Sequence, residues 1–248
     1  MPPSFDIDAF YDEIARAGLT GLLQFASRAT MHQYRPVYAR FLGHLQPGGR
    51  VLDWGCGNGH FSFFLARQGF DVTSYSFGDV PQCLEGASGH RHVQGDPSDP
   101  RSLPFPDMSF DAVCGIGVLE HVHETGGGDL DSLKEIARIL RPGGVFACAH
   151  LPARHGWIEP AGRMLGVSEH FHSRRYSGRD IRNLAHAAGF VLEDRWRYNF
   201  LPRNQLRRLP APLKDTRAGA AAIDLVDLAA TALLRPFTQN HGFVAARR

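Results

Sequence analysis

The residues able to do chemistry begin with a short run, Val51-Leu52-Asp53-Trp54-Gly55-Cys56-Gly57-Asn58-Gly59, in which three glycines two apart follow an acid. Glycines so spaced let the backbone turn through positive φ and let a ligand come close to the main chain. A helical pattern over 60–67 follows directly. Its free N–H groups and positive dipole end favour an anion such as a carboxylate or phosphate. Asp53 has the opposite preference and can accept hydrogen bonds, directly or through water, from an ammonium group. The loop therefore suits a ligand that carries both charges. Its G-x-G-x-G spacing differs from the G-x-G-x-x-G of dinucleotide-binding folds, which argues against a nicotinamide dehydrogenase. A tight turn without a ligand is the plainer alternative.

Histidines form the second group. His121 follows a predicted strand over 110–115 by a short loop, and His150 ends another over 145–150. Side chains at such strand ends face the ligand crevice of a doubly wound sheet. Imidazole titrates near neutral pH, so both are candidate catalytic bases, with a structural histidine as the alternative. Between 151 and 176 lie further polar and aromatic residues, of which His155, Trp157, His170, His172, Arg175 and Tyr176 are substrate-site candidates. Arg174 and Arg175 suit a carboxylate or phosphate, or form an exposed basic pair. His170-x-His172 beside Glu169 makes a ligand pair only on extended backbone, because residues two apart diverge on a helix. No metal is assigned.

The elements that must position these groups alternate. Helices are predicted within 6–45, with a break near 18–21 and a second helix over 32–45, stopped by Gln46-Pro47-Gly48-Gly49. Strands follow over 50–54, 70–77, 90–94, 110–115, 145–150, 190–198 and 241–246. Helices are predicted over 60–67, 130–140, 177–188 and 218–234. Strand–helix alternation implies βαβ units and a parallel sheet. The expected organisation is an N-terminal helical cap, 1–47, and one domain, 48–248, with lid segments at 151–176 and 202–237. The 218–234 helix is apolar except for Asp224, Asp227 and Thr231, which fits packing or an apolar acceptor. Arg203, Arg207 and Arg208 before it leave room for an acidic or lipid-linked acceptor.

A chain of 248 residues fits one decorated α/β domain. Its net charge of +2 predicts no nucleic-acid partner. Only Lys134 and Lys214 are lysines, which reads as codon bias or as a taste for anionic substrates. The four cysteines, Cys56, Cys83, Cys114 and Cys148, form no CxxC pair and suit a reducing cytosol, with Cys114 and Cys148 as buried apolar groups. No signal-peptide pattern or membrane-length apolar run is read, so a cytoplasmic protein without stable membrane insertion is expected. A homodimer is left open.

At this point a resemblance enters. Leu52-Asp53-x-Gly55-x-Gly57-x-Gly59 resembles the first motif of class I S-adenosylmethionine-dependent methyltransferases. Gly95-Asp96 resembles their adenine-contacting motif. The run 103–113, Leu103-Pro104-Phe105-Pro106-Asp107-Met108-Ser109-Phe110-Asp111-Ala112-Val113, resembles the approach to the fourth strand in the broad group that includes quinone-biosynthesis methyltransferases. Val118-Leu119-Glu120-His121-Val122 and Ile139-Leu140-Arg141-Pro142-Gly143-Gly144 resemble the next two motifs. The resemblance covers 48–150 well and 175–200 loosely. It implies a Rossmann-like, doubly wound, seven-stranded α/β sheet, mostly parallel with an antiparallel last strand, and S-adenosylmethionine at the strand C-termini. The implied cofactor residues are Asp53, Gly55, Cys56 and Gly57 at the loop, Ser76 and Asp79 at the ribose, Asp96 and Pro97 at the adenine, and Gly115 and Ile116 after the fourth strand.

One position departs from the family pattern. Ser76 stands where the second strand usually ends in a ribose-gripping acid, and its neutral hydrogen bonds are weaker than charge-assisted ones. Asp79, three residues on, is the candidate substitute. The expected function is methylation of a small molecule, a metabolite or glycan or lipid precursor. O-methylation is favoured over N- or C-methylation by the histidines around the pocket. A non-catalytic cofactor-binding protein is the alternative that Ser76 raises. Methylation of nucleic-acid bases is disfavoured, because Gly115-Ile116-Gly117-Val118 stands where an N-P-P-Y type tetrapeptide would be expected.

Overall fold

A computed structural model describes residues 5–166 and 172–248 of the chain. The helices are α1 (Ile7–Arg16), α2 (Arg28–His32), α3 (Arg35–His44), α4 (His60–Arg67), α5 (Asp129–Ile139), α6 (Ile158–Met164), α7 (Gly178–Ala187), α8 (Ala211–Lys214) and α9 (Arg217–Leu233). The strands are β1 (Arg50–Trp54), β2 (Asp71–Ser76), β3 (His90–Gln94), β4 (Phe110–Ile116), β5 (Leu140–Pro152), β6 (Phe190–Tyr198) and β7 (Asn240–Arg247).

The seven strands form one sheet in the order β3-β2-β1-β4-β5-β7-β6. The pairs β3–β2, β2–β1, β1–β4 and β4–β5 are parallel, and the final part of the sheet carries the antiparallel strand that the resemblance implies. This is the expected Rossmann-like class. The order reverses at β1, between β2 and β4. That switch point opens a crevice at the strand C-termini, where the glycine run begins.

Two compact units divide the chain. One comprises His44–Arg154, His172–Trp196 and His241–Arg248 and holds most of the sheet. Its core packs Leu52, Val113, Phe146 and Phe243 of the strands with Leu133 and Ile136 of α5 and Ile181 of α7, all fully or nearly fully buried. Ser177 begins α7 with a capping box: its hydroxyl accepts from the Asp180 amide while the Asp180 carboxylate accepts from the Ser177 amide. Cys114 and Cys148 are buried as expected.

The other unit comprises Met1–Gly43, His155–Phe171 and Arg197–Asn240. The helix read over 32–45 is α3, which starts at Arg35; Pro36 sits in its first turn, where a missing N–H costs nothing, and the short α2 ends before it. A buried charge network ties the unit together. Arg28 pairs with Asp8 at 2.6 Å and Asp12 at 2.5 Å, and His32 places its two ring nitrogens on Asp8 and Asp224. Arg203 reaches Asp224 at 2.7 Å and Asp227 at 3.1 Å. The two acids that interrupt the apolar pattern of α9 thus face inward, whereas Leu225, Leu228 and Leu233 are exposed. Arg203, read as a candidate contact for an acidic acceptor, is buried and paired with Asp224 and Asp227 in this network.

Two further differences from the sequence reading concern β5 and α6. Arg141-Pro142-Gly143-Gly144, read as a break, lies inside β5 as an irregularity of register: Phe110 opposes Leu140, but Ala112 already opposes Val145. Helix α6 was absent from the reading of 151–176, where His, Arg and Pro obscure the apolar periodicity.

Candidate active site

The β1–α4 connection builds the floor of the site. Gly55 and Gly57 have φ of +72° and +51°. A Cβ on Gly55 would stand 2.6 Å from Val118 Cγ2, while one on Gly57 would meet no atom within 4 Å. The first glycine lets the loop press against the β4 connection; the second faces open space, where a ligand can approach the backbone. A cavity of about 270 Å³ opens there. Trp54, Tyr75, Phe77, Pro100, Val118 and Val122 form its apolar walls, and Ser76, Thr125 and His121 supply side-chain polarity.

Asp53 sits behind this floor rather than in the cavity lining. Its carboxylate is buried and accepts 2.6 Å from the Ser62 hydroxyl as well as from the Ser62 amide in the first turn of α4. Burial raises its pKa to about 6, and the two Ser62 bonds oppose that rise. Part of the helix N-terminus that the sequence reserves for a ligand anion is thus used by Asp53 itself. Cys56 is buried beside it; burial, then the Asp53 charge, pushes its thiol up to about 12, so it is an inert packing group.

Ser76 lines the cavity, and its hydroxyl both donates to the Gly78 carbonyl and accepts from the Gly78 amide. Asp79 is exposed and outside the lining. Asp96 is exposed too and accepts from the amide and hydroxyl of Ser98, which hold its carboxyl below the usual range. Pro97 is exposed beside it. Gly115 packs against the Trp54 ring, where a Cβ would come within 3.1 Å, and half-buried Ile116 ends β4.

The histidines separate. His121 faces the cavity, and its Nδ1 lies 2.9 Å from the Glu124 carboxylate. His150 does not line it. It has φ +63° at the end of β5, a region uncommon outside glycine, and burial followed by the nearby His172 charge pushes its pKa down to about 4. His150 is therefore neutral at pH 7 and a weak base. His172 lies beside His121, with ring centroids 5.2 Å apart. Tyr176 is buried and donates to the Leu119 carbonyl at 3.3 Å, which makes it a packing residue. Arg175 is half-buried and donates to the Arg154 carbonyl. His155 and Trp157 belong to the other unit, where the Trp157 indole donates to the Phe200 carbonyl at 2.8 Å. His170 and Glu169 lie outside the described residues.

Sequence reasoning missed the aromatic wall of Trp54, Tyr75 and Phe77, although their places at the ends of β1 and β2 were a usable signal. It also passed over Glu120, a buried acid beside His121 in an otherwise apolar stretch.

A mostly parallel sheet that reverses order at β1, with a glycine loop and an apolar cavity at that point, is the Rossmann-like architecture that class I methyltransferases share. The methyltransferase-domain family matches residues 25–194, and the chain belongs to it, with S-adenosylmethionine as the family's cofactor. A fatty-acid O-methyltransferase of Mycolicibacterium smegmatis is 40% identical over 106 residues, covering 40% of this chain and 36% of that enzyme. A ubiquinone biosynthesis O-methyltransferase of Xanthomonas axonopodis is 30% identical over 179 residues, covering 66% of this chain and 72% of that one. A crystal structure of a Methanosarcina mazei S-adenosylmethionine-dependent methyltransferase has the same fold, with a TM-score of 0.58, 17% identity, and coverage of 85% of this chain and 97% of that one. The chain spans 59% of another M. smegmatis relative. Among the described residues no helix is long and apolar enough to cross a membrane.

Proposed function

We propose that this chain methylates an oxygen of a small, largely apolar molecule. The observation that carries this reading is His121, a polar side chain set into the aromatic and aliphatic wall of the cavity beside the glycine loop. The cofactor, when bound, supplies an electrophilic methyl group on a sulfonium. The protein's part is then alignment of an acceptor with that methyl. Trp54, Phe77 and Val122 exclude water and favour an apolar acceptor. The Glu124 carboxylate on Nδ1 orients the His121 ring, so that Nε2 receives the hydrogen bond of an acceptor hydroxyl. The names of the fatty-acid and ubiquinone-pathway relatives agree with an apolar acceptor that is methylated on oxygen.

The test is a screen of fatty acids, phenols and hydroxylated lipids with isotopically labelled S-adenosylmethionine, with the labelled product fragmented to locate the methyl group. An O-methyl product, and a fall in kcat of about 10²-fold or more in His121→Ala, would support the reading. A product methylated only on nitrogen or carbon would overturn it, as would turnover unchanged in His121→Ala.

A further inference from the structure

Glu120, His121 and His172 each offer one ligand atom, and these atoms all lie within 4.8 Å of one another. We propose that they form a binding site for a divalent transition metal, Zn²⁺ first, at the edge of the methyl-transfer cavity. Two imidazoles and one carboxylate are a donor set that Zn²⁺ takes in open sites, with further positions left for water or substrate. With bonds of about 2.1 Å, a tetrahedral ion holds its ligand atoms about 3.4 Å apart, so the triad closes by no more than about 1.4 Å. The supports come from separate elements. Glu120 and His121 sit on the turn Leu119–Thr125 that follows β4, and His172 arrives from the segment before α7. Glu120 is buried, a position that favours a charge partner for its carboxylate. Glu124 on Nδ1 of His121 is the kind of carboxylate partner that orients a metal-bound imidazole.

His121 also lines the cavity, so an ion held on it has an open position toward the acceptor. Bound there, the ion would take the acceptor oxygen as a further ligand and ease loss of its proton to solvent, while His121 serves as a ligand in the metal-loaded protein and as the hydrogen-bond partner of the acceptor hydroxyl in the metal-free one. Only this catalytic role rests on the O-methylation reading; the site itself stands on the placement of the triad.

The experiment titrates ZnCl₂ calorimetrically into the full chain after chelator treatment and desalting, with CoCl₂ in parallel followed by visible absorption. One ion per chain is expected, with cobalt bands of a low-symmetry nitrogen–oxygen site. His172→Ala and Glu120→Gln should each weaken Zn²⁺ at least tenfold. His172→Ala should still bind S-adenosylhomocysteine within about twofold of wild type, which verifies its fold should Glu120→Gln prove unstable. Absence of binding by wild type, or equal Zn²⁺ affinity in wild type and His172→Ala, overturns the proposal. Zinc binding without any O-methyl product would instead overturn the O-methylation reading and leave the metal site standing.

Discussion

Ser62, in the first turn of α4, donates a 2.6 Å hydrogen bond to the buried carboxylate of Asp53 near the end of β1. That bond and the Ser62 amide hold down a carboxyl that burial raises to about 6. An ammonium-bearing ligand prefers the ionised form, so binding lowers this pKa further and is favoured above it. Affinity for S-adenosylhomocysteine should be level above pH 7 and fall about tenfold per unit once the pH drops below about 6. Ser62→Ala removes a bond to the charged form, so the fall should begin at higher pH. Calorimetry across pH 5–8 checks both, and a pH-independent affinity would contradict the assignment.

The ribose end gives a gain-of-function test. Ser76 lines the cavity, but Asp79 is exposed outside it. Ser76→Asp restores a charge-assisted acceptor and should tighten S-adenosylhomocysteine by about 1 kcal/mol, roughly fivefold. Asp79→Ala should change affinity less than twofold. Loss of binding in Asp79→Ala would identify it as the ribose ligand after all.

The two loop glycines should respond differently to alanine. At Gly55 the new methyl meets Val118 at 2.6 Å in a left-handed backbone, so both thermal stability and cofactor binding should be lost. At Gly57 there is open space, and the conformation alone costs about 1–2 kcal/mol. The folded protein should survive with a lowered Tm, and its cofactor affinity should fall because the methyl occupies ligand space. Thermal denaturation with and without S-adenosylhomocysteine separates the two outcomes.

The charge network of the helical unit predicts a stability contrast within α9. Asp227 accepts from Arg203 and, at 2.6 Å, from the Leu201 amide. Asp227→Ala takes one of the two carboxylates from the buried Arg203 guanidinium, leaves the Leu201 amide without its acceptor, and should cost about 2 kcal/mol or more. Leu228→Ser, on the exposed face one residue away, should cost less than about 0.5 kcal/mol. Chemical denaturation of the two variants measures the difference.

Strand and helix periods are local properties, and they marked β1, α4, β3 and β6 to the residue. The glycine run likewise marked the crevice at the switch point, because a βαβ series allows few ways to arrange it. Side-chain partners were decided only in three dimensions. Asp224 and Asp227 read as interruptions of an apolar helix until α9 met His32 and Arg203. His150 read as the leading candidate base, ahead of His121, but burial depresses its pKa and of the two only His121 lines the cavity. His172 read as half of a pair with His170, yet its neighbours are Glu120 and His121, about 50 residues earlier. Burial and long-range proximity are set by packing between segments far apart in the chain, and no local pattern records which segments meet.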